Sequence, residues 1–314
     1  MSPRTEPTRN LLILHTPVRQ DISDWLQVKD RIEKRALDIE VRIATNGARN
    51  SVASRWQVSR PSLVFSPFTI LEYKPKGGTV YAGRGFSKLE QMERLSHQGL
   101  PVPRTAKLTR DLELDAALWG RYLVAKPLRG GMGRDVYLVP TSELGARYAA
   151  LTLNGTREMI VQPYIEHSED GYPTEYRVLT LFGTALYSAR NSWGAPRRPL
   201  EEIARDPSGI IASNDKHFGR VRKVWNDNEI ITLGERAHAA FPQCPTLGVD
   251  LLRDVETGKT YVMEVNPAGD TWHLSSLLTK NFFTPEHTRD LYAQFGALDR
   301  VAELLIEKTR LEAT

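Results

Sequence analysis

The chain of 314 residues is 40% hydrophobic and 25% charged, globular proportions with room for two or three packed units, so a disordered tail or a fibre is excluded. Its 42 Lys and Arg against 38 Asp and Glu leave +4, too small an excess to mark a dedicated nucleic-acid binder. Cys244 is the only cysteine, which excludes an intrachain disulfide and a multi-thiolate zinc site. The first apolar run, Leu11 to Leu14, is too short for a secretory signal, and no run approaches the ~18 residues that span a bilayer. The expectation is a cytoplasmic protein.

In chain order, Asn10 to His15 reads as a strand, Ile22 to Arg35 as a helix and Asp38 to Ala44 as a second strand. A short apolar run, Ser62 to Phe65, leads into Lys74-Pro75-Lys76-Gly77-Gly78, whose composition is that of a linker and places a boundary close by. Ser87 and Glu90 have capping-box spacing, Leu89, Met92 and Leu95 recur at helical intervals, and Gly99 with Pro101 and Pro103 ends the helix. Lys88 then lies in the first turn, where the helix dipole disfavours a cation unless an anion binds there. The plainer alternative is a lysine that swings into solvent.

From Tyr122 onward the chain is rich in strand patterns: Tyr122 to Lys126, Asp135 to Val139, Met159 to Gln162, Glu175 to Leu181, Ala185 to Arg190, Leu247 to Leu252 and Tyr261 to Val265. Helical patterns at Glu229 to Phe241, Pro285 to Phe295 and Ala297 to Arg310 separate or follow them. The class is α+β or α/β with much antiparallel pairing.

No G-x-x-x-x-G-K-[ST], H-E-x-x-H or G-x-S-x-G occurs, and Gly83-Arg84-Gly85 lacks the third glycine of a dinucleotide fingerprint. Between the strand patterns that end at Lys126 and begin at Asp135 lie Gly130, Gly131 and Gly133. Such a loop lets backbone N–H groups approach phosphate oxygens, with Lys126 placed to meet an anion from below. A glycine-rich turn beside a solvated lysine is the alternative.

The densest constellation is Leu247-Gly-Val-Asp250-Leu-Leu, a turn at Glu256-Thr257-Gly258, then Tyr261-Val-Met-Glu264-Val-Asn266-Pro267. A hairpin centred on Thr257 sets Asp250 opposite Glu264, and period-two alternation puts Glu264 and Asn266 on one face. Two carboxylates so close either share a proton or neutralise a hard cation, and an all-oxygen donor set favours Mg²⁺. Otherwise Asp250 caps a turn and Glu264 pairs with an arginine.

Taken in order, Lys88, Lys126, the Gly130–Gly133 loop, Val161-Gln162-Pro163-Tyr164-Ile165-Glu166, Glu175-Tyr176-Arg177, Arg190, Asp250 and Glu264-Val265-Asn266-Pro267 resemble the ATP-grasp superfamily. The resemblance runs from about residue 85 to about residue 275 and is strongest to the branch that contains glutathione synthetase, D-alanine:D-alanine ligase and RimK-type ligases. It implies an α+β ATP-grasp fold with an N-terminal α/β domain (1–85), a central lid subdomain (86–166) and a C-terminal antiparallel-sheet subdomain bearing the metal site (167–314).

By that resemblance Lys88 and Lys126 contact ATP phosphates beneath a lid of Gly130, Gly131 and Gly133. Gln162, Tyr164 and Ile165 form the adenine hinge; Pro163 has no N–H, so the hinge donor comes from Tyr164 or Ile165. One of Glu166, Glu169 and Asp170 holds the ribose, with Glu169 chosen. Asp250, Glu264 and Asn266 match the magnesium ligands, and Arg177 and Arg190 match arginines that face the γ-phosphate and the activated substrate.

The implied cofactors are ATP and Mg²⁺, and the implied reaction is carboxylate activation to an acylphosphate followed by attack of an amine on an amino acid or peptide substrate. Rival readings are an ATP-grasp kinase acting on a hydroxyl, a peptide-macrocyclising ligase and a non-catalytic nucleotide-binding module. No membrane or nucleic-acid partner is expected, and homodimerisation is a family-level expectation. Residues 190–223 carry eight Arg or Lys against four acids, enough to steer an acidic substrate or simply a solvated loop. Ala268-Gly269-Asp270-Thr271-Trp272-His273, leaving the metal strand directly, is expected to approach the acceptor.

Overall fold

The computed structural model describes residues 6–17, 19–47, 56–131, 133–206, 209–212, 219–267, 272–276 and 284–314. Its first unit grows from the unbroken apolar run of β1 (Arg9–His15), which is covered on both sides: Leu11 and Ile13 enter one core, Leu12 and Leu14 another. α1 (Ile22–Arg35) covers the first of these cores and is capped by Asp21, whose carboxylate accepts from Ser23 N–H. With β2 (Ile39–Thr45), β3 (Ser62–Ser66) and β4 (Thr79–Ala82), β1 forms a parallel sheet in the order β2-β1-β3-β4. The Lys74–Gly78 stretch, read from composition as a linker, therefore lies inside this unit. Gly78 holds φ +78° there, and a Cβ would sit 2.5 Å from Ser62 O.

The capping box forms as expected at α2 (Lys88–His97): Glu90 N–H donates to Ser87 Oγ, and Ser87 N–H donates to Glu90. Then come β5 (Ala106–Lys107), α3 (Ala116–Trp119), β6 (Tyr122–Pro127), β7 (Val136–Pro140), α4 (Leu144–Leu151) and β8 (Met159–Pro163). Their strands make an antiparallel second sheet that closes over Leu123, Ala125, Val139 and Val161.

The third sheet follows. β9 (Ser168–Glu169) pairs with β10 (Tyr172–Leu181), which forms a long hairpin with β11 (Thr184–Trp193). The chain then leaves this sheet through α5 (Leu200–Arg205) and lends β12 (Ile210–Ala212) to the edge of the second sheet beside β7. It returns as β13 (Arg220–Val224), passes through α6 (Asn228–His238) and completes the sheet with β14 (Thr246–Arg253) and β15 (Thr260–Asn266). The strand order is β13-β11-β10-β14-β15.

One face of this sheet, through Tyr176, Val178, Val249, Leu251 and Val262, packs on α2 and α6. α6 comes so close at Gly234 that a Cβ would fall 2.6 Å from Val178 Cβ. The other face, through Leu179, Leu181, Tyr187 and Ala189, shares a core with the first unit and with α7 (Pro285–Gln294) and α8 (Ala297–Glu312). The α+β class is as expected. Packing, however, joins α2 to the third sheet and α8 to the first. Among the described residues no helix is long and apolar enough to cross a membrane.

Candidate active site

The site is built on the β14–β15 hairpin. Near its turn the register pairs Arg253 with Thr260 and Leu251 with Val262; then a bulge inserts Met263, so that Glu264, and not Met263, stands opposite Asp250. The expected carboxylate pair is thus formed, with the bulge supplying the offset. Asn266 lies on the same face and donates through Nδ2 to Asp250 Oδ2 at 2.9 Å.

Arg177 is the cross-strand partner of Asp250 on β10 and grips it bidentately, Nε to Oδ1 at 2.6 Å and an Nη to Oδ2 at 2.7 Å. Burial opposes the charge of Arg177, but the Asp250 carboxylate more than compensates, so the guanidinium pKa is raised. Asp250 therefore caps no turn, and the arginine expected beside Glu264 is paired with Asp250 instead, while Glu264 lies against a lysine.

That lysine is Lys88. It is 7% exposed; its Nζ donates to Gly130 O at 2.6 Å and lies 3.4 Å from Glu264. It does not swing into solvent: the first turn of α2 delivers it between the glycine loop and the metal-ligand candidates. Lys126, 8% exposed at the end of β6, faces the same space. Burial, with the charge of Lys88, lowers its pKa to about 8 against the opposing pull of Glu264 and Asp250. Above them, Gly130 and Gly133 hold φ of +125° and +64°, a conformation glycine adopts without strain.

At the hinge, Gln162 is 1% exposed and donates through Nε2 to Thr105 Oγ1 at 2.8 Å. Tyr164 N–H donates to Tyr122 O at 2.9 Å, so of the two expected adenine donors Ile165 is the one left for a nucleotide. Glu166 is held by Arg197, which also reaches Tyr164 Oη. Glu169 accepts from Arg190, 3.0 Å from Nε and 2.6 Å from an Nη, and from Tyr176 Oη. Asp170 occupies a turn at φ +53°.

Arg190 departs from expectation. Its cross-strand partners are Tyr176 and Lys223, one row away from the Ala189–Arg177–Asp250 row, so its side chain projects to the opposite face of the sheet. There it holds Glu169 and lies 5.6 Å from the Trp225 ring. Arg177 and Arg190 do not face one reacting group together. The basic segment is likewise dispersed: Arg197 goes to the hinge, Arg198 to Asp206, Arg220 to Glu175, and Lys216 lies outside the described residues.

Of the expected acceptor segment, residues 268–271 lie outside the described residues. Trp272 is buried and donates through Nε1 to Asp24 at 2.8 Å, and Asp24 also accepts from Tyr292 Oη at 2.6 Å and from Ser275 Oγ. Asp24 is 1% exposed and ties α1 to the chain that follows β15. Sequence reasoning missed it, because an acid in the first turn of a helix needs no explanation beyond the dipole.

Two carboxylates, an amide oxygen and two buried lysines around one glycine loop fit a magnesium–triphosphate group, since hard oxygen donors and cations are what such a group requires. No protein-family model matches the sequence, and no curated protein matches it either. Many solved structures align over nearly the whole chain, and three serve as examples. One is the ATP-grasp ligase PsnB complexed with minimal precursor, Mg and ADP (14% identity, 98% of this chain and 100% of that one, TM-score 0.55). Another is the D-cycloserine synthetase DcsG (17%, 95% and 99%, TM-score 0.51). The third is D-alanine–D-alanine ligase from Bacillus anthracis (17%, 97% and 97%, TM-score 0.50). With its site carried between a glycine-looped second sheet and a two-hairpin third sheet, the chain has the ATP-grasp fold.

Proposed function

We propose that the protein is an ATP- and Mg²⁺-dependent carboxylate–amine ligase acting on an amino acid or peptide. The observation that carries this reading is the convergence of Asp250, Glu264 and Asn266 with Lys88 and Lys126 under the Gly130–Gly133 loop. PsnB holding Mg and ADP in the same fold supports the cofactor assignment. Three units, 1–85, 86–166 and 167–314, divide the work: the middle one covers the nucleotide and the last presents the metal ligands.

Asp250, Glu264 and Asn266 would hold magnesium, which offsets charge on the phosphates when bound. Lys88 and Lys126 neutralise phosphate oxygens as the γ-phosphoryl group passes to the substrate carboxylate. Arg177 fixes the rotamer of Asp250 through two parallel hydrogen bonds. Ile165 N–H and the Gln162 carbonyl read adenine, and Glu169, positioned by Arg190 and Tyr176, receives the ribose. The glycine loop excludes water from the acylphosphate until an amine attacks its carbonyl carbon and phosphate leaves. No protein nucleophile is needed.

The test is product analysis with pooled amino acids and short peptides in Mg-ATP. Phosphate should appear only when a carboxylate and an amine are both present, with a product lighter than the two substrates by one water. A stable phosphoester would assign the kinase reading instead.

A further inference from the structure

The glycine loop has a second side. Cross-strand pairing sets Ala125 opposite Tyr137 and Leu123 opposite Val139, and these side chains enter the core beneath α4. Lys126, next along β6, alternates to the opposite face, where Lys88 and Glu264 lie. Tyr137 Oη donates to Asp135 at 3.1 Å, and Asp135 pairs with Arg157 at 3.0 Å, so this acid and its partners belong to the α4 side of the sheet. There a cavity of about 370 Å³ opens between the arms of the loop and the approach to β8. Arg129 and Gly130 come from one arm, Arg134 and Asp135 from the other, and Arg157 and Glu158 from the approach. Lys88, Lys126, Asp250 and Glu264 do not line it.

We propose that this cavity is an oxyanion site on the back of the loop, where Arg129 and Arg134, one on either side of the glycines, share a phosphate or carboxylate group. Its two acids are already matched, Asp135 to Arg157 and Glu158 to Lys107 at 2.6 Å. Arg129 has only Glu90, at 4.0 Å, and Arg134 makes no ion pair among the described residues. The matched pairs cancel, so two cations line one hollow with little of the chain's own negative charge left to meet them. Guanidinium forks match the geometry of an oxyanion, and the glycine backbone lets one come close. An anion shared by the two arginines ties the arms of the loop across Gly130 and Gly133. Lys88 passes that tie inward: its N–H donates to Leu128 O at 3.0 Å and its Nζ to Gly130 O at 2.6 Å, so one arm borders both sites. The site itself goes beyond the ligase reading, and only its coupling to the nucleotide rests on that reading.

The experiment is calorimetric titration, at constant ionic strength, of the full chain saturated with Mg²⁺ and a non-hydrolysable ATP analogue, which fills the phosphate positions under the loop. One series uses inorganic phosphate and the other a capped di-glutamate, so the series that binds names the source. Arg129→Gln and Arg134→Gln together should weaken that binding at least about tenfold. Arg134→Lys, which keeps the charge but loses the fork, should retain part of it. Both arginines are exposed, so the double variant should fold and bind the analogue as the wild type does when no anion is added. The anion should also tighten the analogue at least about twofold in the wild type and not in the double variant. Binding in neither series, or binding that the double variant leaves unchanged, overturns the site; an analogue affinity that the bound anion does not alter overturns the coupling. If the double variant does not fold, the reduction in Arg134→Lys decides. Failure of the analogue to bind defeats the ligase reading alone, because the same titrations of the unloaded chain still decide the site by its dependence on the two arginines.

Discussion

The two long hairpins of the third sheet each carry a pair of like charges and treat them oppositely. In β14–β15 the inserted Met263 brings Asp250 and Glu264 face to face. In β10–β11, Arg177 is paired with Ala189, and Arg190, one residue on, is turned to the other side. A single residue of register decides whether two identical charges share a site or are separated by the thickness of a sheet. One pair converges beside Lys88; the other is divided between Arg177, which holds Asp250, and Arg190, which holds Glu169 on the far side of the sheet.

The largest expected effect is on the converged pair. Glu264→Gln should lower turnover about 10³-fold, read as phosphate release, with little change in thermal stability. On the same side, Lys126 at a pKa of about 8 must be protonated to meet phosphate, so nucleotide affinity should fall as pH rises above 8, by up to about tenfold per unit.

The core side has its own titration. His238, buried against Thr180 Oγ1 and the Cys244 carbonyl, has its pKa lowered to about 4, chiefly by burial. The unfolded chain binds this proton first, so stability should decline as pH falls from 6.5 toward 4, by about 3 kcal/mol in all, measurable by denaturant titration across that window.

The separated arginines should show smaller effects, and different ones. Arg177→Ala leaves Asp250 unmatched beside Asn266 and should cost about 2 kcal/mol, with a larger loss of turnover. Arg190→Ala should cost about 1 kcal/mol and raise KM for ATP while sparing kcat. Equal effects of the two on kcat would contradict their assignment to opposite faces.

What could be read in advance divides along the same line. Ser87 and Glu90 are local signals, and the helix they cap begins where their spacing says. Asp250 and Glu264 are matched on a hairpin centred on Thr257, whereas the pairs near the turn are centred half a residue earlier and the bulge at Met263 makes up the difference. The face of Arg190 depended on a longer hairpin with its own irregularity at Leu179–Thr180, which no local pattern encodes. β4, β5, β12 and β13 went unread because two to five residues carry too little periodicity. Asp24 was hidden because its partners, Trp272 and Tyr292, come from the other end of the sequence.

The strand that the third sheet lends to the second has a consequence for anyone who would cut the protein apart. Leu138 on β7 is covered by Ile203 and Ala204, with Leu200 and Ile211 beside them, all contributed from beyond the hinge. A fragment ending near residue 166 would expose that apolar patch and leave the β7 edge bare, an invitation to self-association. Genetic dissection should therefore keep residues 200–212 with the middle of the chain, or not separate the two at all.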